Sequence, residues 1–308
     1  MKKANIVIQA KGKERSVPSL NIDGKTVIVT GKWLKIASIM DEEFLEGETV
    51  PDPQVFVTRL KDFGVKADIF TFSQKLPDIV PKYKFHLEWD NFAAIPIVTF
   101  SDWWENRVER DVRKSVNRAK KLGIVVKEEE FNDAFVEGIR LIYNESPVRQ
   151  GKPFWHYQKE FEVIKRENST YLNRSVYIGA YYNEELIGFI RMLYVGTIAT
   201  TLQVISQMKH SEKKPTNALI AKAVEICVEN KVSHLVYSSF LYNNVYSPLT
   251  EFKRRNGFEQ VLIPRYYIPL TSRGKVGLRI GLHHPVVRWL PAPVLSWLRK
   301  IRRRLYDQ

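Results

Sequence analysis

Three strand-like segments separated by very short turns constrain the fold of this chain more than any other feature. Each segment is rich in β-branched and aromatic residues, and the turns lie at 183–185 and 196–197. Turns of this length join antiparallel neighbours, because a parallel connection needs a crossover of a dozen or more residues. The sequence therefore predicts an antiparallel meander with strands at 175–182, 186–195 and 199–208.

Helices and further strands surround this meander in a regular order. Apolar residues recur at three- and four-residue steps along a long helix, which is predicted to begin at Ser101 and to end at Gly123. The other predicted elements are a strand at 124–126, helices at 132–145 and 157–171, a helix at 215–230, a strand at 235–239, a helix at 249–256 and a strand at 261–270. This order predicts an α+β fold in which helices flank a mainly antiparallel sheet.

The first hundred residues have the pattern of a strand-rich lobe. One helix is predicted from Pro53 to about residue 63, where Gly64 ends it. Predicted strands lie at 27–30, 36–39, 69–72 and 95–98. We therefore divide the chain into an N-terminal lobe at 1–100, a main domain at 101–272 and a C-terminal tail at 273–308.

Positive charge is concentrated in this tail. The chain has 48 Lys and Arg residues against 34 Asp and Glu residues, and its net charge of +14 attracts nucleic acid, acidic membranes or phosphorylated ligands. Nine of the basic residues and one acidic residue, Asp307, lie at 273–308, interleaved with apolar residues that include Trp289 and Trp297. The pattern fits a basic helix on an anionic membrane surface, and it also fits a helix packed on the protein body with its arginines in solvent.

The predicted helix at 101–123 carries a second basic group. Its face opposite the apolar residues holds Arg107, Arg110, Arg113, Lys114, Arg118 and Lys121. Such a face is either a solvated surface or a site for an anionic ligand, and the sequence leaves both interpretations open.

Cysteine content and hydropathy indicate a cytoplasmic protein. The single cysteine, Cys227, excludes an intramolecular disulfide, and its apolar neighbours predict a buried side chain and not a nucleophile. No apolar run reaches the roughly 20 residues of a transmembrane helix. The apolar stretch near the N-terminus is too short for a signal peptide.

Three motifs within 101–270 resemble the GNAT (N-acetyltransferase) superfamily, and most closely its Fem-type branch of peptidoglycan aminoacyltransferases. RKSVNRAKKLGI at 113–124 resembles the basic helix before a Fem-type lobe, YIGAYYNEELIG at 177–188 is similar to the opening GNAT hairpin, and FKRRNGF at 252–258 resembles the junction of the last helix and strand. The resemblance implies an acyl- or aminoacyltransferase that modifies an amine of a cell-envelope or polysaccharide precursor. In the membrane-binding interpretation of the basic tail, we expect the tail to hold such an enzyme at the inner membrane face.

The acyl donor is the point at which the sequence departs from this family. GNAT members that use acetyl-CoA carry a glycine-containing loop whose N–H groups hold the pyrophosphate, whereas the matching stretch here, QMKHSEKKPTN at 207–217, has no glycine. The departure favours aminoacyl-tRNA as donor, with acyl-CoA as the alternative. The residues expected to bind the anionic part of the donor are Gln207, Lys209, Lys213, Lys214, Thr216 and Asn217.

The segment at 144–157 holds the densest group of polar and aromatic residues. Acyl transfer needs a group that accepts a proton, and Glu145 and His156 are the candidate bases. The candidate substrate-binding residues of the segment are Arg149, Gln150, Lys152, Trp155 and Tyr157. The alternative is a plain turn between two helices, in which Glu145 and His156 act as caps.

Other candidate site residues lie outside this segment. Arg191 and Gln203 lie on the predicted meander, where Arg191 is either paired at the site or outward-facing. Tyr242 is a candidate substrate contact. The resemblance to GNAT enzymes implies a tyrosine that reprotonates the leaving group, and Tyr246 or, as the alternative, Tyr242 is the candidate for this role.

Several other classes of function lack their motifs. The sequence has no phosphate-binding P-loop, no Gly-x-Ser-x-Gly elbow and no zinc-binding helix motif. His283 and His284 have no acidic or cysteine neighbour in the sequence, so we predict no metal site. The alternative to an enzyme is a non-catalytic module that keeps the GNAT fold and binds RNA or anionic lipid.

Overall fold

The computed structural model describes residues 4–10 and 13–284, and these form two compact units. The first unit contains the described residues up to Asp90 together with 262–284, and the second contains 91–261. The predicted limits at 100 and 272 stay a prediction. The part of the tail beyond residue 284 lies outside the described residues, so both interpretations of it also stay open.

Strands and helices are numbered in chain order within the described residues. The strands are β1 (Ala4–Ala10), β2 (Lys13–Ile22), β3 (Lys25–Thr30), β4 (Ile36–Ile39), β5 (Ile69–Ser73), β6 (His86–Pro96), β7 (Val125–Glu129), β8 (Val148–Arg149), β9 (Lys152–Pro153), β10 (Ser175–Tyr182), β11 (Glu185–Val195), β12 (Ile198–Ser206), β13 (His234–Val236) and β14 (Glu259–Pro269). The helices are α1 (Pro53–Asp62), α2 (Phe100–Asp102), α3 (Arg110–Lys121), α4 (Asp133–Tyr143), α5 (Phe161–Asn168), α6 (Pro215–Glu229), α7 (Pro248–Arg255) and α8 (Ser272–Arg279).

The sheet of the first unit has the strand order β1-β2-β3-β4-β5-β14. Its neighbours are antiparallel except β4 and β5, which are parallel and are connected through α1. The helix begins as predicted, because Asp52 accepts two backbone N–H groups of its first turn and Pro53 occupies its first position. Phe56 of α1 stacks on Phe70 of β5 with 5.1 Å between ring centres, which closes the core of this unit.

The sheet of the second unit has the order β6-β13-β12-β11-β10-β7. The predicted meander is confirmed as β10, β11 and β12, and only β12 and β13 run parallel. Helix α6 packs its apolar side on this sheet, with Leu219 and Val224 among its fully buried residues. The predicted α+β class, a mainly antiparallel sheet flanked by helices, is confirmed.

Cys227 lies on the buried side of α6, as predicted. Burial raises the pKa of its thiol to about 12, so the thiol stays protonated and unreactive at neutral pH. Among the described helices, none combines the length and the apolar character needed to cross a bilayer.

The predicted single helix at 101–123 is wrong, because the chain breaks it in the middle. Thr99, and not Ser101, caps the start of α2, and a π-helical turn at 103–107 follows. Val108 is then extended, with φ −83° and ψ 131°, and its N–H bonds to the Trp103 carbonyl at 3.0 Å. Arg113 of α3 donates to the Trp104 and Val108 carbonyls at 2.7 and 3.0 Å, so this basic side chain stabilises the break.

The predicted helix at 157–171 is also shorter in the structure, where α5 covers only Phe161–Asn168. Gln158 adopts a left-handed conformation with φ 57°, and its N–H donates to the Asn144 side chain at 2.8 Å. These two features keep 157–160 out of the helix and delay its start.

Candidate functional site

The candidate site begins where β12 separates from β13. Their parallel pairing covers three residues and ends at Thr200 with Val236, whereas β12 continues to Ser206. The pairing of β12 with β11 skips Leu202, which is a β-bulge at the same place. Strand edges that lose their partner present free N–H and C=O groups, so this opening can receive the carbonyl of a substrate.

A buried hydroxyl lies beside this bulge. Oγ1 of Thr201 is excluded from solvent and has no hydrogen-bond partner among the described residues. Buried polar groups without partners are rare in native proteins. Together, the bulge and this hydroxyl mark the end of the β12–β13 pairing as the candidate active site.

The predicted loop at 144–157 is tied to the end of β12 by Arg149. Its guanidinium donates to the carbonyls of Ser206 and Ile142 at 2.8 and 3.0 Å and to Glu145 Oε2 at 3.0 Å. Between β8 and β9 the chain turns at Gln150, with φ 51°, and Gly151, with φ 67°. Arg149 therefore holds the loop against β12, and both terminal nitrogens of its guanidinium bond to groups of the protein.

Glu145 occupies the backbone donors of the loop that follows β12. Its carboxylate accepts the N–H of Met208 at 2.7 Å and the N–H of Lys209 at 2.8 Å. With Arg149 as a third donor, the carboxylate is held in one orientation. A negative side chain of the protein thus lies on the backbone N–H groups expected to face the donor phosphates.

His156, near the end of the segment at 144–157, is buried as a neutral imidazole. It is 3% exposed, and its ring packs on Trp155 and Tyr143 at 3.6 and 4.3 Å between centres. Burial lowers its pKa to about 3, because an apolar environment disfavours the imidazolium. Such an imidazole is a weak base, so the geometry supports a packing role, and its assignment as catalytic base stays a prediction.

Gln203 is connected to the same cluster. Its Oε1 accepts a hydrogen bond of 2.9 Å from the hydroxyl of Tyr143, whose pKa burial raises to about 12. Glu145, Arg149, His156 and Gln203 therefore lie in one group beside the end of β12, and their assignment to a site stays a prediction.

The side chains expected to hold the donor phosphates are mostly bonded within the protein. The amide of Gln207 and the ammonium of Lys209 share Glu185 Oε1, at 2.9 and 2.7 Å. The remaining contacts are Lys213 with Glu212, Thr216 with Ser206 and Asn217 with Asn256. Lys214 precedes α6 in a left-handed conformation and places no side-chain cap on it.

Other predicted residues lie apart from this cluster or at the surface. Arg191 is buried and donates to the Glu167 carbonyl at 2.8 Å and to Thr170, so it is paired, but with the end of α5. Tyr246 is exposed and donates to Glu251. Lys152 and Trp155 are exposed, Tyr157 is half-buried, and Lys159 lies 4.2 Å above the Trp155 ring.

Lys253 is a charged residue of the site that the sequence analysis did not single out. It is 0% exposed, and its ammonium donates to the carbonyls of Tyr237 and Ser239, directly after β13, at 2.7 and 2.8 Å. Burial lowers its pKa to about 8, since no carboxylate within the described part of the chain bonds to it. The ring of Tyr242 lies 5.0 Å from this ammonium, and its assignment as a substrate contact stays a prediction.

The fold can be compared with known proteins at this point. No protein-family model matches the chain, and no curated protein matches its sequence. The C-terminal domain of a protein assigned as a lysylphosphatidylglycerol synthetase from Agrobacterium fabrum matches with a TM-score of 0.55 and 11% identity, over 85% of this chain and 87% of that one. L-PGS from Bacillus licheniformis matches with a TM-score of 0.54 and 14% identity, over 92% and 86%.

FemX matches with a TM-score of 0.50 and 9% identity, over 91% of this chain and 90% of that chain. The chain has a GNAT-like fold of the Fem type. This confirms the resemblance drawn from the three sequence motifs. Each of the three matches covers at least 85% of the chain and therefore includes residues of both compact units.

Proposed function

We propose that this protein transfers an aminoacyl group from aminoacyl-tRNA to an amine of a cell-envelope precursor, and that it does so without CoA. The observation that carries the proposal is the Glu145 carboxylate on the N–H groups of Met208 and Lys209. A bound pyrophosphate would need these two donors and would meet a carboxylate already on them, so like charges would repel. The residues present therefore do not fit the pyrophosphate of CoA.

An ester donor has no such requirement at this loop. In aminoacyl transfer the acceptor nitrogen bonds to the ester carbonyl carbon, the bond from that carbon to the ribose oxygen breaks, and one proton passes from the nitrogen to the departing oxygen. The protein must orient the two reactants and stabilise the oxyanion. The unpaired edge of β12 beyond Thr200 supplies backbone N–H groups for that oxyanion.

Lys253 contributes positive charge beside this edge. Its ammonium fixes the two carbonyls that follow β13, so it is a positioning residue that also favours negative charge developing in the cleft. Its pKa of about 8 keeps it mainly charged at neutral pH. Perturbed ionisable groups of this kind concentrate at functional sites.

The fold neighbours support the transfer of an aminoacyl group to an envelope component. The name of the Agrobacterium protein describes a lysyl group joined to phosphatidylglycerol, a lipid whose reactive groups are hydroxyls, whereas the resemblance to Fem-type aminoacyltransferases supports aminoacyl-tRNA as donor and an amine as acceptor. A surface depression of about 630 Å³ beside the predicted loop is lined by Glu137, Arg140, Asn144, Lys159 and Glu160 among others. Its mixed charge suits a polar, zwitterionic acceptor better than an apolar one.

The first unit offers a surface for an anionic membrane. Trp33 is 91% exposed, and α8 exposes Val276 together with Lys275 and Arg279. Apolar and basic side chains presented together bind anionic lipid through both burial and charge. Such a surface would keep the enzyme close to a lipid-linked acceptor.

A thermal-shift titration with acetyl-CoA, a longer acyl-CoA and free CoA tests the exclusion of CoA. A ligand that binds only the folded state raises stability by about 2.7 kcal/mol at a hundred times its dissociation constant. We expect no rise with any of the three. A saturable rise with free CoA would overturn the donor assignment and would lead to a screen of amine acceptors with acetyl-CoA.

A further inference from the structure

The first unit contains a cluster of histidines around one carboxylate. His86 and Glu88 lie two residues apart at the start of β6, so they share a face of the strand. His283 and His284 lie four and five residues after the end of α8. The chain thus brings together groups that are separated by 195 residues, which is why the sequence offered no acidic neighbour for the histidine pair.

One oxygen atom lies at the centre of this cluster. Glu88 Oε1 is 2.7 Å from His283 Nε2, 3.0 Å from His284 Nε2 and 3.5 Å from His86 Nε2. The ligand atoms of His86, Glu88 and His283 all lie within 4.8 Å of one another. Around a tetrahedral ion with bonds of about 2.0–2.1 Å, ligand atoms are about 3.3 Å apart. A small withdrawal of the carboxylate therefore leaves room for an ion.

The surroundings favour a built site over a chance surface contact. The side chain of His283 is 1% exposed, so its Nε2 is held against Glu88 inside the protein and not at the surface. The Tyr267 ring packs 4.7 Å from the His283 ring and 6.0 Å from the His86 ring. His86 is 44% exposed, which leaves a path for an ion from solution.

We propose that His86, Glu88 and His283 bind a divalent transition-metal ion, with His284 as the nearest further ligand. Imidazole nitrogen with one carboxylate oxygen is a donor set for Zn²⁺ or Co²⁺, whereas Mg²⁺ and Ca²⁺ prefer oxygen ligands alone. The ion would join the start of β6 to the segment after α8. Binding only the folded state, it would stabilise the first unit.

Cobalt titration of the untagged full chain tests this site, after treatment with a chelator. We expect one Co²⁺ per chain with the visible absorption of a four-coordinate ion, competition by Zn²⁺, and a rise in Tm that Mg²⁺ does not produce. His86→Ala and Glu88→Gln should each weaken Co²⁺ binding at least about 100-fold. His86 is partly exposed and Glu88→Gln keeps the size of the side chain, so both variants should fold, as circular dichroism would verify.

His234→Ala is the matched control, because His234 is a half-buried histidine that is bonded to Ser233, outside the cluster. It should bind Co²⁺ as the unmodified chain does. Absence of the four-coordinate spectrum in the unmodified chain would overturn the proposal. Equal affinity in the unmodified chain, His86→Ala and Glu88→Gln would also overturn it, and would show that the cluster is only hydrogen-bonded.

Discussion

Oε1 of Glu145 accepts a hydrogen bond of 2.8 Å from the backbone N–H of Lys209. The other oxygen of the same carboxylate accepts from Met208 and Arg149. In a glycine-containing loop, free N–H groups at this point recruit negative charge from a ligand. Here the negative charge comes from Glu145, in the segment that follows α4. The N–H groups of the loop therefore already have an acceptor before a donor substrate binds.

Glu145→Ala should uncover these backbone donors. We expect the variant to unfold more easily by about 2 kcal/mol, because charged hydrogen bonds of this kind are worth about 1.5–3 kcal/mol. We also expect inorganic pyrophosphate to raise its Tm, whereas the unmodified protein should show no rise. Urea unfolding and thermal shift measure the two effects.

Glu128→Ala is the control for this prediction, since Glu128 lies on the edge strand β7 and is exposed. It should change neither stability nor pyrophosphate response. A pyrophosphate response of equal size in the unmodified protein and in Glu145→Ala would show that Glu145 does not block the loop.

His156 should make the protein sensitive to mild acid. Its pKa is about 3 in the folded state and about 6.5 when unfolded, so only the unfolded state gains a proton between these values. The free energy of unfolding is therefore unaffected by this group above pH 6.5. It decreases as the pH falls below 6.5, by about 2 kcal/mol at pH 5. Urea unfolding of the unmodified protein and of His156→Phe at pH 7.5 and 5 measures this difference.

The phenylalanine variant keeps the aromatic packing against Tyr143 and removes the titration. Its unfolding free energy should depend less on pH over this interval. The same acid dependence in both proteins would mean that His156 is not buried as a neutral ring.

Lys253 should make the stability of the protein depend on pH in the alkaline range. Its pKa is about 8 when folded against 10.5 when unfolded, so burial of the ammonium destabilises the protein below pH 8. As pH rises from 8 to 10.5, the unmodified protein should gain up to about 3 kcal/mol relative to Lys253→Met. Chemical unfolding at pH 7.5 and pH 10 measures the gain.

Lys253 also provides a test of catalysis. Lys253→Met should lower kcat for aminoacyl transfer about 100-fold, with little change in KM for the donor. The kcat of the unmodified protein should fall as pH rises above 8, and the variant should lack this fall. A variant with lower kcat but the same pH profile would show that Lys253 has only a structural role.

The basic tail should bind anionic membranes. Gly274 and Gly277 of α8 pack closely on Asp68 and Leu34, so a truncation should keep this helix and end at His284. The truncated chain keeps the exposed surface of α8 but loses six basic residues, so its binding to phosphatidylglycerol vesicles should weaken, since each basic residue near the surface contributes about 1 kcal/mol. Vesicle sedimentation at low and high salt measures it, with zwitterionic vesicles as control. Equal sedimentation of both chains would mean that the tail does not anchor the protein.

Local signals in the sequence were enough to predict much of the fold. Turns at 183–185 and 196–197 are too short for anything but antiparallel neighbours, so the β10–β12 meander could be predicted with its limits nearly correct. Helix α6 was predictable because Pro215 begins it and apolar residues run along it. The break at Val108 was not, since it depends on the Arg113 side chain folding back on the preceding turn.

The site was harder to predict because its groups come from distant parts of the chain. The glycine-free stretch at 207–217 was visible in the sequence, but the carboxylate that occupies its N–H groups comes from Glu145, more than sixty residues earlier. Lys253 stood within FKRRNGF, a motif that contains four charged or amide side chains in a row. Only the fold distinguishes the buried Lys253 from the exposed Arg254 and the half-buried Arg255 beside it.

The most direct test of the proposed function follows an amino acid from tRNA to an acceptor. A pool of tRNA charged with labelled amino acids would be incubated with the protein and an extract of envelope precursors, and label in the acceptor fraction would be measured. We predict transfer by the unmodified protein that acetyl-CoA neither supports nor inhibits, and about 100-fold less transfer by Lys253→Met. No transfer from any charged tRNA, together with acetylation of an amine acceptor from acetyl-CoA, would contradict the proposal.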